Sequence, residues 1–208
     1  MKLPCRAVLF DLDGVLVESR ATVERQWALW ADDHGVDMDR IRELMHGVRG
    51  AEVVAAVAPG LDAEAEAAAI DRAQASDLDG VVALEGAVEL VEAVPTWTVV
   101  TSGRHELASA RLRHAGFEVP ESIVCAEDVD RGKPEPDGYL LAASRLGVAP
   151  ADCVVIEDAP PGVAAARAAG IRVVGVTTTH EPGELGGADV ITASLKGVRV
   201  VSGGLEIV

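Results

Sequence analysis

Short, continuously apolar runs recur along the chain and predict buried strands. Continuous rather than alternating apolar residues are typical of strands that are covered on both faces of a parallel sheet. Segments with helical character separate these runs from one another. Six runs fit the pattern: Arg6–Phe10, Trp97–Thr101, Ser122–Cys125, Cys153–Glu157, Ile171–Val176 and Asp189–Ile191.

The segments between the strands predict helices. They are Ala87–Val94, Glu106–Ala115, Asp137–Leu146 and Val163–Ala169. Gly116, Gly147 and Gly170 follow three of them, at the position where glycine commonly ends a helix. Strands that alternate with helices predict an α/β fold with a doubly wound parallel sheet. The sequence around Ser202–Gly204 predicts a hairpin appended to the edge of the fold.

One stretch interrupts this alternation, from about Ser19 to Leu84. It contains no strand pattern and is rich in the helix formers Ala, Glu and Arg. Trp27 and Trp30 fall on one face of a predicted helix, so we interpret them as the core of a helical module and not as a ligand platform. The predicted organisation is a core of residues 1–17 and 85–208 with a helical cap domain of residues 18–84.

Composition and charge narrow the class of protein. The 208 residues are 49% hydrophobic, which is enough for a core, and 34 acidic against 18 basic residues give a net charge of −16. Such an acidic excess repels phosphate backbones and anionic bilayers, so we expect neither a nucleic-acid nor a membrane partner. Without a Cys-x-x-Cys pair or a Cys/His cluster we expect neither zinc nor disulfides. No apolar run is long enough to span a membrane, and we expect a cytoplasmic monomer.

Paired carboxylates stand where two of the predicted strands end. Asp11 and Asp13 follow the first strand, and Glu157 and Asp158 come at the end of the fourth. Ligands in open α/β sheets bind at this carboxyl edge. Either pair could serve structure alone, as an Asp-Gly turn or as acids at a helix start. Four carboxylates with no His or Cys beside them are the donors that select Mg²⁺.

Two further strand ends carry groups that suit an anion. Ser102 and Gly103 follow the second strand, where a hydroxyl and free N–H groups can cradle an anion or simply cap the next helix. Lys133 follows the third strand, and Pro134 favours an extended conformation for it. The alternative for this lysine is an ordinary exposed surface position.

Together these motifs resemble those of the haloacid dehalogenase superfamily, in the branch with a helical cap inserted after the first motif. They stand here as Asp-Leu-Asp-Gly at 11–14, Thr-Ser-Gly at 101–103, Gly-Lys-Pro at 132–134 and Glu-Asp-Ala at 157–159. The resemblance covers essentially the whole chain. It implies a Rossmann-like core and a Mg²⁺-dependent phosphatase whose partner is a small phosphorylated metabolite.

The resemblance also implies roles for the four acids. Asp11 would attack phosphorus and form an aspartyl-phosphate. Asp13 would protonate the leaving alkoxide and then activate water. Mg²⁺ would be held by Asp11, the carbonyl group of Asp13 and Asp158, with Glu157 reaching it through water.

The remaining motif residues would bind phosphate. Ser102, the N–H group of Gly103 and Lys133 would neutralise the phosphoryl oxygens. A dehalogenase does not need Asp13 as an acid–base, so its presence favours phosphoryl transfer. A binding protein that kept the fold without catalysis would lack a motif residue, and none is missing.

The substrate depends on the cap, whose sequence resembles bacterial sugar phosphatases and yeast glycerol- and 2-deoxyglucose-phosphate phosphatases. Arg49 is the cap residue that we expect to contact the substrate. The alternatives are a β-phosphoglucomutase-like mutase and a phosphoglycolate phosphatase. Val23 argues against the mutase, since mutase-like members carry a histidine there. The region has no lysine for the Schiff base of phosphonate hydrolases, and Glu18 replaces a common Asp near the cap hinge.

Overall fold

The computed structural model describes residues 1–208, which form ten strands and eight α-helices. The strands in chain order are β1 (Lys2–Pro4), β2 (Ala7–Phe10), β3 (Val17–Glu18), β4 (Val82–Ala83), β5 (Trp97–Val99), β6 (Cys153–Glu157), β7 (Arg172–Val176), β8 (Val190–Thr192), β9 (Val198–Val201) and β10 (Gly204–Ile207). The helices are α1 (Arg20–His34), α2 (Met38–Leu44), α3 (Gly50–Val57), α4 (Ala63–Ser76), α5 (Ala87–Ala93), α6 (His105–His114), α7 (Asp137–Leu146) and α8 (Pro160–Ala168).

The centre of the fold is a parallel five-stranded sheet in the spatial order β5-β2-β6-β7-β8. Strand β2 lies between β5 and β6, where Phe10 pairs with Val99 on one side and Ile156 on the other. Every residue of β2 and β6 is buried, which explains their continuously apolar sequences. Buried clusters on the two faces include residues of α5 and α6 on one side and of α7 and α8 on the other. The doubly wound α/β class is therefore confirmed.

The predicted strand Ser122–Cys125 is wrong as a strand. In the structure it makes a single isolated parallel bridge, between Val100 and Val124. Ile123, Val124 and Cys125 are nevertheless buried. The apolar run therefore indicates burial, although the segment does not pair along its length with a neighbouring strand. A short apolar run cannot by itself distinguish these two outcomes.

The C-terminal hairpin is present and belongs to a second sheet. Strands β9 and β10 pair antiparallel, and β10 also pairs with β1 at the N-terminus. Leu3 of β1 is buried against Leu205 of β10, while its neighbours Lys2 and Pro4 are exposed. Strand β1 was not expected, because one buried residue in three gives no detectable pattern.

The helices α1 to α4 form a module between β3 and β4. These two strands pair antiparallel, Val17 with Ala83 and Glu18 with Val82, so the chain leaves and re-enters the core at adjacent points. The sequence predicts no strand between Ser19 and Leu84. This prediction is wrong at β4, a strand of two residues that is too short to give a recognisable pattern. The domain boundaries at 17/18 and 84/85 stay a prediction.

The helical module has its own hydrophobic cluster. Trp27 and Trp30 are 4% and 7% exposed and pack edge-to-face with ring centroids 5.6 Å apart. Ile41 and Ile70 complete the centre of this cluster, and the indole of Trp30 donates to Glu66 at 2.8 Å. The two tryptophans are thus core residues of the module, as their helical spacing indicates.

The chain contains no helix that is long and apolar enough to cross a bilayer. Cys5, Cys125 and Cys153 are all free thiols.

We expect Ile41→Ala to lower the free energy of unfolding by about 2–5 kcal/mol, because it leaves a cavity in the module's own cluster. Ile41 is fully buried, whereas Leu29 of the same module is 58% exposed. Leu29→Ala is therefore the control, with an expected change of about 0.5 kcal/mol or less. Urea unfolding followed by circular dichroism measures both, and equal effects of the two substitutions would contradict this packing.

Candidate active site

The motif residues converge at the carboxyl edge of the central sheet. Asp11 directly follows β2, and Glu157 is the last residue of the neighbouring strand β6. A cavity opens between this edge and the helical module, and Asp11, Asp13 and Asp158 lie in its wall. The sheet order therefore brings together the two acidic pairs that are far apart in sequence.

Lys133 is buried between two of these acids. Its ammonium group donates to Asp11 Oδ1 at 2.5 Å and to Glu157 Oε1 at 2.7 Å, and the residue is only 6% exposed. The two carboxylates raise the pKa of this lysine well above its usual value, although burial acts in the opposite direction. It is a buried, permanently charged group and not a surface lysine.

Glu157 has hydrogen bonds on both carboxylate oxygens. Besides Lys133, Oε1 accepts from the Tyr139 hydroxyl at 3.0 Å, and Oε2 accepts from the N–H groups of Asp158 and Ala159 at 2.8 and 2.9 Å. A Cβ atom on Gly162 would lie 1.5 Å from Oε1, so this close approach requires glycine there. Glu157 is thus fixed as a partner of Lys133.

The acids outnumber the bases in this buried region. Possible ligand atoms of Asp11, Glu157 and Asp158 lie within 4.8 Å of one another. Burial raises the pKa of Asp11 to about 7, and burial together with the nearby Glu157 raises that of Asp158 well above its usual value. Three carboxylates balanced by one lysine, with only oxygen donors, suit a hard divalent cation. The hydroxyl of Thr179 donates to Asp158 Oδ2.

Asp13 is oriented by two donors on one of its oxygens. Oδ1 accepts from the Ser19 hydroxyl at 2.6 Å and from Arg111 at 2.7 Å. Ser19 immediately precedes α1, and Arg111 lies in α6 of the core. Unlike Lys133, Asp13 is partly open, with its side chain 32% exposed.

Ser102 and Gly103 line the same cavity as Asp11 and Asp13. The Ser102 hydroxyl donates to the carbonyl group of Gly47 in the helical module at 3.0 Å. The N–H group of Gly103 donates to the side chain of Thr101 at 3.1 Å. Ser102 thus joins the sheet edge to the helical module, whereas the bond of Gly103 stays within the core.

Arg49 is not brought to the cavity wall. Its guanidinium pairs with Glu52 at 2.8 Å and donates to the carbonyl group of Val129 at 3.4 Å. Its stem packs against Gly132, where an added Cβ would lie 2.7 Å from Arg49 Nε. In the structure this side chain links the helical module to the loop before Lys133, and its contact with a substrate stays a prediction.

Several cavity residues were missed by the sequence reasoning. They are Ser19, Trp27, Asp71, Gln74 and Arg111. Arg111 had a usable signal, because it lies on the buried face of α6 with Leu107, Ala108 and Leu112. A charged residue on an apolar helical face requires a partner. Trp27 is both a core residue of the module and part of the cavity wall.

Glu18 lies at the mouth of the cavity. One of its oxygens accepts from the N–H group of Arg20 at 2.8 Å, and the other pairs with the Arg20 guanidinium at 3.2 Å. Both oxygens of this carboxylate are therefore engaged by Arg20.

Comparison with known proteins agrees with this geometry. The family model described as haloacid dehalogenase-like hydrolase matches residues 5–170. The chain belongs to the haloacid dehalogenase-like hydrolase family. Among solved structures of this fold, a hydrolase from Pseudomonas syringae superposes with a TM-score of 0.82 at 28% identity, covering 91% of this chain and 94% of that one.

Curated relatives of this family member are phosphatases. Hexitol phosphatase A of Escherichia coli is 40% identical over 203 residues, covering 94% of each chain. Validoxylamine A 7′-phosphate phosphatase of Streptomyces hygroscopicus is 36% identical over 206 residues, covering 93% of this chain and 96% of the relative.

Asp71 of α4 predicts a pH-dependent cost to stability. Burial raises its pKa to about 6, although Oδ2 accepts from the N–H group of Arg104 at 3.1 Å. The folded state therefore holds this proton more tightly than the unfolded chain, and stability is lost as the pH rises from about 4 through about 6. We expect Asp71→Asn to raise the free energy of unfolding at about pH 8 and to give a smaller gain at about pH 4.

Urea unfolding at the two pH values measures this difference. Asp33→Asn is the control, because Asp33 is exposed and its loss should leave the pH profile unchanged. A gain that is equal at both pH values would contradict the role of the buried charge.

Proposed function

We propose that this protein is a Mg²⁺-dependent phosphatase that hydrolyses a small sugar or polyol phosphate monoester. The observation that carries the proposal is the pair Asp11 and Asp13 in one cavity wall, the first paired with buried Lys133 and the second held by Ser19 and Arg111. The similarity to hexitol phosphatase A supports a polyol or sugar ester.

In the first step an Asp11 oxygen attacks phosphorus and the bond between phosphorus and the ester oxygen breaks. Asp13 gives its proton to that oxygen, which leaves as a neutral alcohol. In the second step water attacks the aspartyl-phosphate while Asp13 accepts a proton from it. Inorganic phosphate then leaves, and both carboxylates return to their starting states.

The residues at the sheet edge suit a hard divalent ion. Asp11, the carbonyl group of Asp13 and Asp158 would hold Mg²⁺, and Glu157 would act through water because its own oxygens are occupied. The ion would screen the Asp11 carboxylate from the negative phosphoryl oxygens. Lys133 supplies the remaining positive charge at the point of attack.

The phosphoryl group would be bound by exchanging hydrogen bonds that already exist. The Ser102 hydroxyl would leave the carbonyl group of Gly47, and the N–H group of Gly103 would leave Thr101. Once exchanged, these donors would stabilise the negative charge that develops on the phosphoryl oxygens. Ser102 and Lys133 line one further pocket, so the hydroxyl and the ammonium group could both approach the phosphoryl oxygens.

The charges of the cavity wall favour a monoester over a bisphosphate. The arginines in this wall are Arg20 and Arg111, and each is already paired with an acid, Glu18 and Asp13 respectively. A mutase must hold a second phosphate, and a phosphoglycolate phosphatase must hold a carboxylate. Either enzyme would need an unpaired cation on the side of the cavity that faces the leaving group, and the two arginines of this wall are already paired.

The side of the cavity formed by the helical module mixes apolar and hydrogen-bonding groups. Trp27 supplies an aromatic surface, and Asp71 of α4 supplies a carboxylate. Such a wall suits the carbon chain and hydroxyl groups of a polyol. Closure of the helices over the site would exclude water from it.

We expect phosphate release from a few hexitol, glycerol or hexose monophosphates with Mg²⁺, and none with EDTA. Asp11→Asn should lower kcat by about three orders of magnitude or more, because the nucleophile is lost. A colorimetric phosphate assay over a panel of esters measures both effects, with xylulose 1,5-bisphosphate and phosphoglycolate included.

The exposed Asp33→Asn serves as the matched control and should keep full activity. Release in EDTA, or undiminished release by Asp11→Asn, would contradict the mechanism. Preference for the bisphosphate or for phosphoglycolate would contradict the proposed substrate class.

A further inference from the structure

Arg111 connects the acid–base residue to the helical module. One of its terminal nitrogens donates to Asp13 Oδ1 at 2.7 Å, and the other donates to Gln74 Oε1 at 2.5 Å. Asp13 belongs to the sheet edge, whereas Gln74 lies in α4 of the inserted module. A single guanidinium is therefore shared between the proton-transferring carboxylate and a helix that covers the site.

This arrangement is not explained by stability. Gln74 is 3% exposed and Arg111 is 2% exposed, and the Arg111 Nε–H group is buried without any hydrogen-bond partner. An unsatisfied buried donor costs free energy, and an apolar side chain of similar size is often more stable than a buried ion pair. The neighbours of Arg111 on this helical face, Leu107 and Leu112, show that the position could accommodate one.

The contacts of Asp13 indicate what the arginine does. Oδ1 is occupied by Ser19, which precedes α1, and by Arg111 from the core, and no protein group donates to Oδ2. This leaves Oδ2 as the oxygen that faces the leaving group. Rotation of the carboxylate is restricted only while both donors are in place.

We propose that Arg111 is a positioning residue that orients Asp13 for proton transfer to the leaving group, and that Gln74 makes this orientation depend on the seating of α4. With α4 displaced, Arg111 would lose its second partner and its guanidinium plane would no longer be fixed. Proton transfer would then be efficient only in the covered site. The inference rests on the proposed phosphatase function and adds to it a coupling between module closure and acid catalysis.

The coupling predicts that the effect of replacing Arg111 or Gln74 on kcat/KM depends on the leaving group of the ester. A polyol alkoxide is strongly basic and needs the proton, whereas p-nitrophenolate leaves with little assistance. The ratio kcat/KM reports only the steps up to release of the alcohol, so it excludes the later hydrolysis of the aspartyl-phosphate. Comparing kcat/KM for the two ester types therefore isolates the acid step.

The experiment measures kcat/KM for sorbitol 6-phosphate and p-nitrophenyl phosphate in purified variants. We expect Arg111→Met to lower the value for sorbitol 6-phosphate about 100-fold and that for p-nitrophenyl phosphate less than about threefold. Gln74→Leu should lower the first value about tenfold and spare the second. The double variant should be no worse than Arg111→Met alone, because both substitutions act through one group. Arg111→Lys should recover part of the loss.

Two exposed arginines provide matched controls. Arg113→Met on α6 and Arg72→Met on α4 should leave kcat/KM unchanged for both esters. If Arg111→Met does not fold, as judged by thermal unfolding, Gln74→Leu carries the test by itself.

Equal losses with the two esters, or independent effects of the two substitutions, would overturn the positioning role. If Arg111→Met and Gln74→Leu both keep the wild-type kcat/KM for each ester, the positioning role is overturned and the phosphatase function is left intact. A wild-type enzyme that hydrolyses neither these two esters nor any other ester of the panel would overturn the proposed function and this inference with it.

Discussion

Three carboxylates and one lysine are buried together at the carboxyl edge of the sheet, and the rest of the site depends on this imbalance of charge. It arises from topology, because β2 and β6 are neighbours and each ends in an acidic pair. Lys133 compensates two of the acids at hydrogen-bonding distance, and Asp158 remains without a basic partner. A divalent cation would complete the balance, and a phosphoryl group would be attracted to the same place once the cation is bound.

The core and the helical module contribute different properties. The core holds its reactive groups rigidly, as shown by Glu157, whose oxygens are both occupied and which lies against Gly162. The module presents Trp27, Asp71 and Gln74 to the opposite side of the cavity. We infer that the chemistry resides in the core and that substrate choice resides in the module, with Arg111 as the connection between them.

The sequence was sufficient for those features that follow from strand ends. The carboxyl ends of parallel strands meet at one edge, so the sequence pattern alone predicts that Asp11 and Glu157 lie close together. The directions of long side chains could not be predicted in this way. Arg49 has the charge for a substrate contact, but its contacts turn it toward Val129. The partner of Arg111 was equally hidden, because nothing local relates α6 to Asp13.

The most direct test of the central claim is to find where the phosphoryl group is held during turnover. The enzyme is mixed with its ester and Mg²⁺, quenched in acid within milliseconds and digested for peptide mass spectrometry. We predict a phosphoryl group on Asp11, bound as an acyl phosphate that hydroxylamine removes. A phosphoryl group on another residue, or none during rapid turnover, would contradict the assignment of Asp11 as nucleophile.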